Sequence, residues 1–244
     1  MRHGNDPTGY SVILGVVLLV LMIWVIWAVP IVVRKVRNRR YRDGVAAWAA
    51  THEGWSYREG GGGPWAQQLE QGQARGVTFH IDGTRRNRPV TVAHYWYRTS
   101  ADAAATGWVE GSYTTTHDLT VCLVHLPGVY PAISVKIRGA VYPAIPVKAR
   151  DIGWRIARGL GFPVLYGLGE DAFDRVYQVR TEVPELSRSV ITPALVEAHL
   201  AGTVPPWSLR EHDLLATWNG KVKPDLIPSH LDQLLNVADL LGTI

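Results

Sequence analysis

The sequence predicts an α+β protein: an N-terminal transmembrane helix followed by a mainly antiparallel sheet packed with helices. Three observations predict it. An uncharged run of 23 residues, Ser11–Val33, lies near the N-terminus. Segments of two-residue hydrophobic alternation follow one another through the middle of the chain, and helical periodicity returns toward the C-terminus.

The apolar run comes first. At 1.5 Å per residue Ser11–Val33 would span about 34 Å as a helix, enough for the ~30 Å hydrocarbon core of a bilayer. The flanks set an orientation. Residues 1–10 carry only Arg2 and Asp6, whereas Arg34, Lys35, Arg37, Arg39, Arg40 and Arg42 place six cations just after the run. The positive-inside bias then predicts residues 1–10 outside, 11–33 as the membrane span, 34–54 as a basic juxtamembrane helix and 55–244 as a cytoplasmic α+β domain, all at the inner membrane. Trp24 and Trp27 fall near the inner interface, where indole rings settle. A cleaved signal peptide is not expected, because the cations follow the apolar stretch instead of preceding it. The six cations fix topology and also offer a surface to anionic lipid of the inner leaflet, at about 1 kcal/mol per residue. Ser11 and Gly15 form a small-xxx-small pair that would suit a homodimer, with nothing else to support one.

The charge balance narrows the partners. The chain of 244 residues has a net charge of +4, yet from Asp43 onward 18 Lys and Arg face 20 Asp and Glu, a net of −2. A body near neutrality lacks the basic footprint of a nucleic-acid binder. The single cysteine, Cys122, excludes an intramolecular disulfide framework and a Cys-rich zinc site, and its apolar surroundings predict a small core residue.

The remaining elements follow in chain order. Gly60–Gly63 and Pro64 form a breaker cluster before a short helix, Pro64–Gln71. Val77, Phe79 and Ile81 alternate with Thr78, His80 and Asp82 as a first strand. Gly83–Pro89 is a polar turn, and Val90–Arg98 a second strand. Ser100–Gly107 is a loop. Asp118–Leu126 is apolar on both faces, as in a central strand, and Ile133–Arg138 alternates as a fourth. The gaps are too short for obligatory crossovers, so an antiparallel meander is expected. Lys148–Leu160 is a candidate helix and Phe173–Thr181 a strand. Helices follow at Pro184–Val190 and at Pro193–Leu200, the latter capped by Thr192. Trp207–Arg210 and Leu214–Trp218 are expected to pair as a hairpin around Glu211–Asp213, with a turn at Asn219–Gly220. The last helix starts at a capping box of Ser229 and Asp232, lines Leu231, Leu234, Leu235, Ala238 and Leu241 on one face, and stops at Gly242.

No catalytic template fits. The glycine run ends in Pro-Trp where a phosphate loop needs Lys-Ser/Thr. The nine histidines include no H-E-x-x-H pair, so neither a metal nor another cofactor is expected. His117–Asp118 and His212–Asp213 are neighbours on strands and point to opposite faces, so they are not dyads. The best residues for an enzyme acting on a lipid or headgroup are His80 and His94, meeting across the first hairpin, with Asp82 beside them. The run Tyr95, Trp96, Tyr97 offers aromatic rings to a partner surface.

Residues Gly169–Leu241 carry a pattern of Phe173-Asp174-Arg175, a helix opened by Thr192-Pro193, a Trp-containing hairpin and a leucine-rich helix. In this the chain resembles bacterial, chiefly actinobacterial, single-pass membrane proteins of unassigned function. More distantly, and in architecture alone, it resembles the trehalose monomycolate transport factor of mycobacteria. The resemblance implies no catalytic residues. Together these readings predict a non-enzymatic membrane-anchored accessory or adaptor protein, binding a membrane-complex partner in cell-envelope assembly or lipid transport. The alternatives are the membrane-bound enzyme above and an anionic-lipid-binding module.

Overall fold

The computed structural model describes residues 7–69, 74–102, 112–138 and 164–242; in the first helix it describes the side chains of residues 22, 24 and 26 onward. The chain divides into two compact units, Met1–Trp48 and Ala49–Ile244. The predicted helix over Lys148–Leu160 lies outside the described residues, as do the first six residues.

Helix α1 runs without interruption from Pro7 to Ala50. It contains the uncharged run and the basic stretch, and Pro30 removes one internal donor. Trp24 and Trp27 are 71% and 72% exposed. Among the described residues, no helix is long and apolar enough to cross a membrane.

The second unit is α+β, with a seven-stranded, antiparallel sheet and helices packed on it. The predicted meander is present as β2 (Ala74–Arg85), β3 (Arg88–Asp102) and β4 (Ser112–Ile137), and a short strand that was not predicted, β1 (Ser56–Glu59), pairs with β2 at the edge. A single 3₁₀ turn, Pro64–Gln68, stands where a short helix was expected. The predicted turn over Gly83–Pro89 shrinks to Arg86 and Asn87, both with positive φ (48° and 59°), as a tight two-residue hairpin requires. The strands persist to Arg85 and Arg88 because both arginines are held by carboxylates of the last helix, Asp232 and Asp239. Strand β3 also reaches Asp102, into the predicted loop.

Two further expectations are corrected in β4 and its neighbour. Asp118–Leu126 and all of Ile133–Arg138 but its last residue belong to one 26-residue strand. The breakers between them, Pro127, Gly128 and Pro131, produce register irregularities and no turn. The expected hairpin of Trp207–Trp218 is likewise one strand, β7 (Trp207–Asn219), pairing along β4 from Leu119 to Val135. Glu211, with φ +55°, marks its bend opposite the irregular part of β4. Strand β6 (Tyr177–Thr181) pairs with the far half of β4 and carries β5 (Val164–Tyr166) at its edge.

Phe173–Val176, expected as strand, belongs to helix α2 (Asp171–Val176). The Asp174 carboxylate accepts from Leu168 N–H (3.1 Å) and Gly169 N–H (3.0 Å), closing the loop before the helix. Helix α3 (Pro184–Val190) and helix α4 (Pro193–Leu200) match expectation, and Thr192 caps α4 by accepting from Leu195 N–H at 3.2 Å. Helix α5 (Ile227–Leu240) buries Leu231, Leu234, Leu235 and Ala238, but its N-cap position is Leu226. No capping box forms; Asp232 is engaged by Arg85 instead. Gly242 lies past the helix and donates to Val190 O at 2.9 Å, in a spot where any Cβ would overlap the Ser189 carbonyl.

The sheet is covered on both faces. One carries Trp65, Leu69, Tyr95, Tyr97, Leu119, Val121, Leu123 and Leu215 as one apolar cluster. Alternation sends Val92, Cys122 and Val124 to the other face, all fully buried. There α5 lies, with His230 stacked on Trp218 at 4.2 Å.

Candidate functional site

The two-residue period places five polar side chains on one face of four adjacent strands. Asp82 of β2 stands opposite Thr91 of β3, and His125 of β4 opposite Asp213 of β7. Thr91 Oγ1 donates to Asp82 Oδ1 at 2.7 Å and lies 3.0 Å from His125 Nε2, while His125 Nδ1 lies 2.7 Å from Asp213 Oδ1. His80 extends the row, with Nε2 3.5 Å from Asp82 Oδ2 and Nδ1 2.9 Å from Gly60 O. The threonine hydroxyl has one proton and gives it to Asp82, so the contact with His125 needs the ring to donate. Asp213, His125 and Thr91 repeat the order of a nucleophile triad. Thr91, however, is 6% exposed and its proton is committed, so the arrangement locks the strands together instead of presenting a hydroxyl to solvent.

The expected meeting of His80 and His94 does not occur. The two-residue turn at Arg86 and Asn87 sets a register in which His94 opposes Phe79 and His80 opposes Ala93, which puts the two histidines on opposite faces. His94 is buried, stacks on Phe79 with ring centroids 5.7 Å apart, and holds Nε2 3.2 Å from Asp118. Burial pushes its pKa down, against the opposing pull of Asp118. The neighbouring pairs behave as alternation predicts: His117 bonds Thr99 while Asp118 meets His94, and His212 bonds Leu126 O while Asp213 meets His125.

Of the three aromatics expected at a partner surface, Tyr95 and Tyr97 are buried in the apolar cluster (1% and 3% exposed). Only Trp96 lies on the other face, half-buried beneath the Arg98 guanidinium at 5.3 Å. Cys122 is fully buried, and desolvation pushes its thiol pKa far up. Of the basic stretch, Arg34, Lys35, Arg37, Arg39 and Arg40 are exposed and Arg42 half-buried. Arg39 pairs weakly with Asp43 at 3.9 Å. Among the described residues, no group of three or more His, Cys, Asp or Glu could hold a metal ion.

Two features escaped the sequence reading. His199 of α4 is 1% exposed inside a box of Phe173, Tyr177 and Trp207. Trp207 Nε1–H donates to its Nε2 at 2.9 Å, which leaves the ring proton on Nδ1, without a partner among the described residues. Desolvation lowers its pKa to about 4. The second feature is a groove of about 330 Å³ over β4, β6 and β7, lined by Leu119, Leu215, Lys136, Arg180 and Arg210 among others and by none of the five residues of the polar row. Alternation around buried Ile133, Val135 and Leu209 was the signal for it, hidden because the pairing of β4 with β6 and β7 was not legible.

The architecture is thus that of an α+β unit with one long central strand, following an N-terminal helix. No protein-family profile matches the chain. No curated protein matches it in sequence. Among solved structures it is similar to the mycobacterial trehalose monomycolate transport factor A, TtfA, with a TM-score of 0.49 and 11% identity over 82% of this chain and 93% of that one. The likeness is distant and architectural only.

Proposed function

We propose that this is a single-pass, membrane-anchored accessory protein without catalytic activity of its own. In this reading α1 crosses the inner membrane through Ser11–Val33, and Arg34–Arg42 hold its inner end against anionic lipid. The Ala49–Ile244 unit then stands on the cytoplasmic side, beside a membrane complex of cell-envelope assembly or lipid transport. The observation that carries the reading is the junction in α1: 23 residues without a charge, then six cations in nine, in one unbroken helix that ends where the second unit begins. Tethering is a sufficient physical role, since it raises the local concentration of a weakly binding domain. The near-neutral balance from Asp43 onward supports a protein partner over a nucleic acid. The test is purification of a C-terminally tagged copy from native membranes in mild detergent, with mass spectrometry of what accompanies it. A stoichiometric membrane protein is expected; a chain recovered alone at low salt would refute the adaptor reading.

A further inference from the structure

We propose that the groove on β4, β6 and β7 binds a single-chain anionic amphiphile, with its head group on Arg180 and Arg210 and its chain along Leu119 and Leu215. The inference rests on the second unit alone and does not depend on α1 crossing a membrane.

The register makes the argument. Ser134 of β4 stands between Arg180 of β6 and Ser208 of β7, so these three share one face. Two residues further along each strand come Lys136, Glu182 and Arg210, on that same face by alternation. The residues between them, Ile133, Val135, Val179, Thr181, Trp207 and Leu209, are all buried on the opposite side. The polar wall of the groove therefore carries three cations against one carboxylate, in a body whose overall balance from Asp43 onward is −2. Among the described residues neither Arg180 nor Arg210 has an ion-pair partner. Unpaired guanidinium groups above the strands are a fork-shaped site for phosphate or carboxylate.

The other end of the same groove is apolar. Leu119 and Leu215 are 7% and 4% exposed and belong to the cluster on that face. A site cationic at one end and lined by leucine at the other is complementary to a molecule with an anionic head and a hydrocarbon tail. Its volume of about 330 Å³ sits at the lower end of the ~300–1,000 Å³ of small-molecule sites, which suits one chain better than two. A free anion would leave the leucines unused, and an uncharged alkane would leave the guanidinium groups unused.

The test uses the full chain in zwitterionic phosphatidylcholine nanodiscs and a dodecyl phosphate bearing a terminal diazirine. After irradiation, labelled peptides are mapped by mass spectrometry. Labelling is expected on the peptides containing Leu119 and Leu215, displaced by unlabelled dodecyl phosphate but not by dodecanol or inorganic phosphate. The double variant Arg180→Gln/Arg210→Gln should lose about tenfold or more of this labelling, as expected when two charge-assisted contacts are removed, with any labelling of Ser11–Val33 unchanged. Displacement by inorganic phosphate would show a free-anion site and overturn the proposal. So would equal displacement by dodecanol, or label confined to α1. The competition series uses the wild-type chain alone, so it decides the matter even if the double variant fails to fold.

Discussion

His199 gives the sharpest prediction of stability. Its ring is 1% exposed and boxed by aromatic side chains, and its Nε2 accepts a hydrogen bond from Trp207 Nε1–H. The charged form would have to sit in this dry pocket, so the pKa falls from its ordinary 6.5 to about 4. Between those values the unfolded chain binds the proton and the folded chain does not, so stability is complete above pH 6.5 and is lost as pH falls toward 4. Evaluated at pH 4.5, the linkage removes about 2.5 kcal/mol, rising to about 3 kcal/mol below pH 4. The variant His199→Gln keeps an acceptor for Trp207 and removes the titrating group. Urea unfolding followed by tryptophan fluorescence, at pH 7.5 and pH 4.5, gives the comparison. The wild type should lose about 2.5 kcal/mol more than the variant over this interval. Equal losses, or an NMR titration of His199 with a midpoint near 6.5, would refute the reasoning.

Three other outcomes follow from the same geometry. Thr91→Val keeps the shape of a buried side chain but strands Asp82 and His125, and should cost about 1–3 kcal/mol in chemical denaturation; no loss would mean that the row is not a fastening. Gly83→Ala places a Cβ against the Trp55 ring, and overpacking of this kind should cost about 1–3 kcal/mol, read as a lowered midpoint of unfolding. Arg85 holds Asp232 through bonds of 2.9 and 2.6 Å, with both side chains about a third exposed. The hydrogen bond from Arg85 holds the Asp232 carboxyl below its usual range. Solvent screening discounts the pair, so Asp232→Asn should cost about 1 kcal/mol at neutral pH, less in high salt. That difference should fade as pH falls through the depressed carboxyl pKa, where the wild type loses its own charge.

Local periodicity carried much of the fold, and long-range pairing set its limits. The meander of β2 to β4 was legible because Val77–Ile81 and Val90–Arg98 alternate cleanly and are separated by polar turn residues. Helix α5 was legible because its leucines repeat at helical spacing, and the α4 cap because Thr192-Pro193 is a local signal. In the sequence β4 and β7 each look like two strands, because proline, glycine and a polar stretch such as Glu211–Asp213 normally end a strand. In the structure those irregular stretches face one another, and each tolerates the other's defect. The length of the turn before β3 was not legible in the sequence and decided the fate of the His80–His94 pair: a two-residue turn at Arg86 and Asn87 pairs His80 with Ala93, and a one-residue difference in register sends a side chain to the other face. Tyr95 and Tyr97 alternate with Trp96, so the period showed that they share a face. It could not show that this face is the buried one.

In the proposed topology α1 passes through the membrane and holds the second unit on the cytoplasmic side. Cys122 is fully buried, which leaves a silent background for a reporter thiol. Asp225 is exposed in the short turn before α5, and Asp225→Cys places the reporter there. Labelling with a membrane-impermeant maleimide is then compared in intact cells and in inside-out vesicles. Labelling is expected in the vesicles alone, with the protein retained in the membrane after alkaline carbonate extraction. Labelling from outside intact cells, or release of the protein by carbonate, would contradict it.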